Sequence, residues 1–162
     1  MQKTNVQHQK QAGFSLIELL IVVTIIGVIA SIAIPNLLAS RRAANEGSAQ
    51  QSMRTISSCE VAYKFSYGNG SYADLSTLGV KVMTDSVLST GTKSGYTFAA
   101  NPVSGASEQF WAYAFPITTT GIGSTGSRRF AITEDGVMRG DTDLTSAPAN
   151  EAAVQAMPAM GN

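Results

Sequence analysis

The chain begins with a polar stretch that gives way to a run of 21 predominantly apolar residues, 14–34. At about 1.5 Å per residue, a helix of this length spans about 31 Å, close to the roughly 30 Å hydrocarbon core of a bilayer. A secretory signal peptide does not fit, because its apolar core is shorter and no A-x-A-like cleavage site precedes Pro35. Lys3 and Lys10 lie before the run, so the positive-inside tendency leaves that side cytoplasmic. The pattern predicts one membrane-spanning helix with the rest of the chain outside.

Beyond Pro35 the apolar positions keep a helical spacing, but polar residues now take the opposite side. The apolar side carries Ala49, Met53, Ile56 and Tyr63 with Cys59 or Glu60 between them, and the polar side carries Arg41, Arg42, Glu46, Gln50, Arg54 and Lys64. Gly68, Asn69 and Gly70 accept left-handed conformations and close the C-terminus. One long helix to about Tyr67 is predicted, with Cys59 as a small core residue.

The second half of the chain has the period-two alternation of strands. Tyr96 and Phe98 share one face, Trp111, Tyr113 and Phe115 share another, and Phe130 and Ile132 lie across an Asp135-Gly136 turn from Val137. A short helical turn around residues 74–78 precedes them, and the stretch from about Asp141 has no clear period. We predict an α+β fold, with a long N-terminal helix packed on an antiparallel β-sheet and an extended or mobile tail at 141–162.

Composition narrows the possible chemistry. The 11 basic and 11 acidic residues balance, which does not indicate a nucleic acid or an anionic membrane surface as a partner. Cys59 is the only cysteine, so an intramolecular disulfide and a CxxC redox or zinc site are excluded.

The N-terminal motif resembles that of type IV prepilins and the related type II secretion pseudopilins. The residues that carry the resemblance are Gly13, Phe14, Glu18, Gly27 and Pro35, within a match over residues 10–38. The resemblance implies that a prepilin peptidase cuts between Gly13 and Phe14 and methylates the new Phe14 amine. Removing 13 of 162 residues leaves 149 and takes away His8, the only histidine, which argues against an enzyme.

The resemblance also implies a domain organisation and a set of partners. The segments are a leader at 1–13, a transmembrane and filament-core helix at 14–35, its amphipathic half at 36–67, a loop and antiparallel headgroup at 68–140, and the tail. The implied function is a structural subunit of a type IV pilus, held in the inner membrane before assembly and displayed on the cell surface afterwards. Its partners would be further copies of itself, the prepilin peptidase/methyltransferase, the assembly platform and a cytoplasmic ATPase. No cofactor or metal is expected; a type II secretion pseudopilin and a monomeric membrane-anchored binding domain remain alternatives.

Glu18 is the acid within the apolar run, and it lies one helical turn from Phe14. We hypothesise that its carboxylate pairs with the cationic Phe14 amine, within one chain or between neighbours, and so sets the docking register that apolar faces cannot supply. The alternative is that Glu18 reaches the interface of an ordinary anchor. Gly27 and Pro35 are predicted to give the helix local flexibility and a kink, although both residues are common in ordinary transmembrane helices.

Three further motifs have simpler explanations. Residues 121–126 fit G-x-G-x-x-G, but a strand-like segment follows them, so a hairpin loop is favoured over a dinucleotide site. Asn69 begins an N-glycosylation pattern that a turn also explains. The acids Glu134, Asp135, Asp141 and Asp143 are similar to the calcium loop of some pseudopilins but lack the third ligand and the glycine of an EF-hand.

Overall fold

The computed structural model describes residues 13–103, 105 and 108–161. Residues 1–12 of the predicted leader, with Lys3, His8 and Lys10, lie outside the described residues. The described chain forms the helices α1 (Leu16–Ser66), α2 (Leu75–Lys81), α3 (Ser86–Ser89) and α4 (Glu151–Gln155) and the strands β1 (Thr92–Lys93), β2 (Tyr96–Pro102), β3 (Phe110–Pro116), β4 (Arg129–Thr133) and β5 (Arg139–Asp141).

The 51-residue helix α1 continues through Pro35. The chain divides into two compact units, Met1–Leu37 and Leu38–Asn162, and we call the second the globular unit. At the end of α1, the Gly68 N–H donates to the Tyr63 carbonyl (2.8 Å). A side chain at position 68 would collide with the Ser71 carbonyl oxygen, so the chain can turn here only with glycine.

The globular unit contains an antiparallel sheet in which each strand pairs with the next along the chain, in the order β1-β2-β3-β4-β5. In the centre of the sheet, Phe98 lies opposite Ala114, and Ala112 lies opposite Ile132. Such a meander needs only short connections, in keeping with the turn residues between the strands.

The main core lies between this sheet and the buried side of α1. Ala49, Met53 and Ile56 of α1 are fully buried against Tyr96, Phe98, Ala100, Phe110, Ala112, Ala114, Phe130 and Ile132 of the sheet. Buried positions are three to four residues apart on the helix and mostly two apart on the strands. These are the helical and strand periods of the apolar residues in the sequence. The α+β fold with a long helix packed on an antiparallel sheet is confirmed.

The aromatic face of β3 lies on the other side of the sheet from this core. Its alternation buries Phe110, Ala112, Ala114 and Pro116, whereas Trp111, Tyr113 and Phe115 are only half-buried. Trp111 and Tyr113 stack with ring centroids 5.8 Å apart. The prediction that these three aromatics share a face is correct, but the alanines fill the main core.

The C-terminal stretch differs from the extended or mobile tail that we expected at 141–162. It contains α4, whose N-cap Asn150 accepts a hydrogen bond from the Ala153 N–H (2.8 Å). Val154 and Met157 are buried with Ala131, and Trp111 and Tyr113 pack against this second cluster. A five-residue helix is too short to show a period in the sequence, and packing on the aromatic face supplies its stability.

Two local features near the strands also differ from the prediction. Val137 lies outside the strands, because β5 begins at Arg139 and Phe130 pairs with Gly140. Helix α3 was not predicted; it begins where the Asp85 carboxylate accepts the N–H groups of Val87 (3.1 Å) and Leu88 (3.0 Å).

Candidate functional site

The segment that holds the predicted cleavage site is exposed and lies ahead of the helix. Gly13 and Phe14 precede α1, and 86% of Phe14 is accessible to solvent. A Cβ atom added to Gly13 would meet no atom within 4 Å. Within the described residues, the peptide bond between Gly13 and Phe14 is therefore accessible from solvent.

Glu18 lies in the first turn of α1 and contacts the chain just before it. Its Oε2 accepts a hydrogen bond from the Ser15 N–H at 2.9 Å, and the Ser15 carbonyl accepts from Leu19 N–H at 3.3 Å. This is half of a capping box, in which a glutamate three residues after a serine satisfies a free N–H at the start of a helix. The S-x-x-E signature was present in the sequence and would have revealed this second role of Glu18.

The apolar half of α1 is exposed on all sides within its own unit. Its large side chains are all at least 47% accessible: Leu16, Ile17, Leu19, Leu20, Ile21, Val22, Val23, Ile25, Ile26, Val28, Ile29, Ile32 and Ile34. Among the described residues, α1 is the one helix long and apolar enough to cross a membrane. Since an all-round apolar helix is unstable in water, this segment requires lipid or other apolar helices around it.

The polar groups within the apolar half are satisfied by the helix itself. The Thr24 hydroxyl donates to the Leu20 carbonyl and the Ser31 hydroxyl to the Val28 carbonyl, both at 2.8 Å. No hydroxyl donor of these two residues is left open to hydrocarbon, where an unpaired one is costly. Gly27 faces open space and Pro35 lies inside the helix, so their predicted flexibility stays a prediction.

A buried carboxylate ties α1 to the start of β4 in the globular unit. Glu46 Oε1 accepts from the Ser127 N–H (2.8 Å) and Oγ (2.6 Å), while Oε2 accepts from Arg128 Nε (3.0 Å) and Nη2 (2.9 Å). Burial raises the pKa of Glu46, but the hydrogen bonds from Ser127 and Arg128 outweigh it and hold that pKa below its ordinary value. The prediction that Glu46 lies on the polar side of the helix is wrong, because the side chain is buried. Its partners lie about 80 residues away along the chain, so the sequence around Glu46 gives no local signal of the contact.

We call the contacts of Glu46 with Ser127 and Arg128 the brace, and Tyr96 of β2 contributes a further contact to it. Tyr96 is fully buried, and its hydroxyl donates to the Arg128 carbonyl at 2.8 Å. Burial, and then the negative charge of Glu46, raise the pKa of Tyr96. A side chain at Gly126 would collide with the Tyr96 hydroxyl, so the backbone approaches the ring closely only because that residue is glycine.

Three of the four acids considered for calcium, Asp135, Asp141 and Asp143, are paired with arginines, whereas Oε2 of Glu134 is buried without a hydrogen-bond partner. Arg129 contacts Asp141 through Nε (2.7 Å) and Nη2 (3.0 Å) and reaches Asp143 at 3.2 Å. Arg139 pairs with Asp135 at 2.5 Å, and its hydrogen bond lowers the pKa of Asp135 to about 2. Within the described ranges, no group of three or more His, Cys, Asp or Glu side chains is placed to hold a metal ion.

The glycine-rich motif at 121–126 connects β3 to β4. Its backbone turns through a hydrogen bond from the Ser124 N–H to the Gly121 carbonyl (3.2 Å), and Thr125 N–H donates to the Thr118 carbonyl (2.9 Å). Its place between antiparallel neighbours confirms the hairpin loop.

Comparison with known protein families identifies a motif in the N-terminal segment. The family model for the prokaryotic N-terminal methylation motif matches residues 8–34. The chain carries a prokaryotic N-terminal methylation motif. This methylation motif covers the exposed Gly13–Phe14 junction, the Glu18 contact and most of the apolar half of α1.

The relatives that resemble part of this chain come from two machineries. The chain is 62% identical over 34 residues to the type IV wide pilus major component PilA4 of Thermus thermophilus, which is 21% of this chain and 26% of that protein. It is 31% identical over 58 residues to the type II secretion system core protein G of Aeromonas hydrophila, 36% of this chain and 41% of the relative. The same protein of Escherichia coli is 36% identical over 55 residues, 34% and 38% of the two chains.

The similarity is confined to part of each protein. The chain matches between about a quarter and two fifths of the length of these relatives. No solved structure matches the chain significantly. The comparisons therefore assign the methylation motif, and the choice between a pilus and a secretion role needs a separate argument.

Proposed function

We propose that this chain is a structural subunit of a type IV pilus filament rather than an enzyme. The observation that carries the proposal is the apolar half of α1, exposed on all sides directly after the Gly13–Phe14 junction of the methylation motif. The similarity to a major component of a type IV wide pilus supports the same reading. The helix anchors the chain in the inner membrane first and packs among the helices of further copies in the filament.

Processing comes before assembly in this proposal. A prepilin peptidase/methyltransferase cuts between Gly13 and Phe14 and methylates the Phe14 amine. Both residues are exposed and precede the helix, which supports their accessibility to such an enzyme. The new amine has a reference pKa near 8, so it is mostly cationic at neutral pH and lies close to the Glu18 carboxylate.

Energetics indicate why a machine is needed to move the subunit. Fourteen large apolar side chains between positions 14 and 34 are exposed. At about 1.5–3 kcal/mol each, their gross burial amounts to roughly 20–40 kcal/mol, which keeps the helix out of water. Exchange of lipid for neighbouring helices is nearly balanced by comparison, so an assembly platform and a cytoplasmic ATPase can drive it.

Glu18 selects the register of that exchange. Apolar side chains of similar size slide past one another at little cost, whereas a buried carboxylate is stable only where it meets a cation or a donor. We propose the Phe14 amine as that cation. Gly27 and Pro35 give the helix the local freedom to adapt during packing.

The test replaces Glu18 in cells that lack the wild-type chain. Glu18→Ala removes both the charge and the hydrogen bond to Ser15, whereas Glu18→Gln keeps an oxygen that can cap the helix and removes only the charge. We expect both variants to reach the membrane fraction and both to yield few or no filaments by electron microscopy of sheared surface material. Normal filaments from Glu18→Gln alone would reduce Glu18 to a helix cap, and normal filaments from both would refute the register role.

The second candidate function is a type II secretion pseudopilin. The observation in its favour is that the matches to core protein G are 58 and 55 residues long, longer than the match to the pilus component, which is 34 residues. Deleting the chromosomal copy distinguishes the two functions. Loss of surface filaments with normal export of secreted enzymes supports the pilus, whereas loss of export without loss of filaments supports the pseudopilus.

A further inference from the structure

Glu60 is a buried acid that the proposed function does not use. It lies near the end of α1 and is 0% exposed. Its Oε2 accepts a hydrogen bond from the Ala73 N–H at 3.0 Å, and its Oε1 is buried without a hydrogen-bond partner. The contact joins the helix to residues 67–74, the loop that leads to α2.

The surroundings of Glu60 offer no compensating cation. Among the described residues, no Lys or Arg lies within salt-bridge distance of its carboxyl group; the Lys64 ammonium instead lies 4.7 Å from the centre of the Tyr72 ring. In the loop, Asp74 adds a negative charge, and the thiol of Cys59 is the titratable neighbour on α1. On the sheet side, Tyr72 packs on Phe110, which carries no charge.

These surroundings favour the neutral form of the acid. Burial raises the pKa of Glu60 to about 7, the hydrogen bond from Ala73 opposes that rise, and Asp74 adds to it. A neutral carboxylic acid can stay buried while it accepts from Ala73. An ionised one leaves a charge in the core with a single donor, and that charge is relieved only when water reaches it.

We propose that Glu60 is a protonation-controlled latch that closes the loop 67–74 on the end of α1. With the acid protonated, the loop is held through Ala73. With the acid ionised, a local opening that hydrates the carboxylate becomes more frequent. Asn69 and Gly70 have positive φ angles (47° and 93°), and the backbone hydrogen bonds of the loop around them run only to the helix end and within the loop. A local opening of this segment must also separate Tyr72 from Phe110 and expose Ala73, which is buried in the core.

Linkage sets the size of the effect. In the open state Glu60 regains its ordinary pKa near 4.5, so the opening constant rises by up to about tenfold per pH unit from there to about pH 7 and then levels. Between about pH 5.5 and about pH 8.5 the expected rise is about thirtyfold. Stability of the closed loop is thus lost as pH rises, the opposite of a salt-bridged acid.

Hydrogen exchange of the Ala73 amide measures this opening directly. The full chain in detergent micelles is followed by NMR, and each rate is divided by the intrinsic rate at that pH. We expect the protection of Ala73 to fall about thirtyfold over the range above in the wild type. In Glu60→Gln, whose amide oxygen can still accept from Ala73, we expect a fall of less than about threefold. The Thr125 amide, bonded to Thr118 in the β3–β4 loop, is the reference that should not change.

Three results would overturn the latch. The first is a protection of Ala73 that does not depend on pH, and the second is an equal fall in Glu60→Gln. The third is a protection of Ala73 that equals that of the β3 amides at every pH, which would mean global unfolding. If Glu60→Gln does not fold, the ¹³C shift of the wild-type Glu60 carboxyl decides, because titration near the ordinary value of 4.5 contradicts the proposal and titration near 7 supports it.

Discussion

Replacement of Glu46 by glutamine tests the brace between α1 and the start of β4. Glu46 is 6% exposed, and its two oxygens accept four hydrogen bonds from Ser127 and Arg128. Glutamine has nearly the same shape but replaces one oxygen by an NH₂ group. If that group faces Arg128, both hydrogen bonds from the guanidinium are lost; if it faces Ser127, it can donate to the hydroxyl, and the bond from the Ser127 N–H is lost. In both orientations the negative charge beside Arg128 is removed.

The magnitude follows from which groups lose their partners. Removing one member of a buried ion pair costs about 3–5 kcal/mol when the other charge stays buried. The Arg128 side chain is 42% exposed and regains water, which lowers the cost. We therefore expect Glu46→Gln to reduce the free energy of unfolding by about 2–3 kcal/mol at neutral pH.

Urea denaturation of the full chain in detergent, followed by the fluorescence of Trp111, provides the measurement, because Trp111 is the only tryptophan. Asp143→Asn is the matched control. It also converts an acid into its amide next to an arginine, but Asp143 is half exposed, and a surface pair contributes about 0–1 kcal/mol.

The difference should also depend on pH. Because the pKa of folded Glu46 lies below its ordinary value, its stabilisation is present above about pH 4.5 and is lost as pH falls through the lowered value. Wild type and Glu46→Gln should therefore converge in acid. A loss no larger than that of Asp143→Asn, or a loss that is constant with pH, would refute the brace.

The remaining predictions concern packing and folding. Gly126→Ala should lower the free energy of unfolding by about 1–3 kcal/mol, because the new methyl group collides with the Tyr96 hydroxyl. Gly123→Ala, where the methyl group enters open space, should change that free energy by less than about 0.5 kcal/mol. The same urea titration measures both variants, and equal effects would contradict the close approach of Gly126 to Tyr96. A fragment of residues 38–162 should be soluble and monomeric, with mixed helix and strand signal in circular dichroism, because it keeps Glu46 and the whole core; aggregation or an unfolded spectrum would count against an independent globular unit.

Periodicity predicted the elements in which apolar residues recur at regular spacing along the chain. The apolar run and the spacing of Ala49, Met53 and Ile56 gave one long helix, and the alternation around Tyr96 and Phe98 gave a strand with its buried face correct. In each case many residues carry the same signal, so one exception does not obscure it.

Contacts between distant residues were not predictable in the same way. Glu46 looks like any surface acid until Ser127 and Arg128 are brought to it, and α4 is stabilised by Trp111 and Tyr113 on a remote strand. A contact between an acid and a partner far along the chain produces no periodic pattern in the sequence. Glu60 lay beside Cys59 among the candidates for the apolar side, but nothing local indicated that one of its oxygens has no partner.

The N-terminus of the protein in sheared and purified surface filaments tests the central claim most directly. Mass spectrometry of that material should find a chain that begins at Phe14 and carries one methyl group on its amine. Met1–Gly13 still attached to filament protein would contradict processing at the methylation motif. Absence of the chain from surface filaments, with the processed form confined to the membrane fraction, would contradict its role as a pilus subunit.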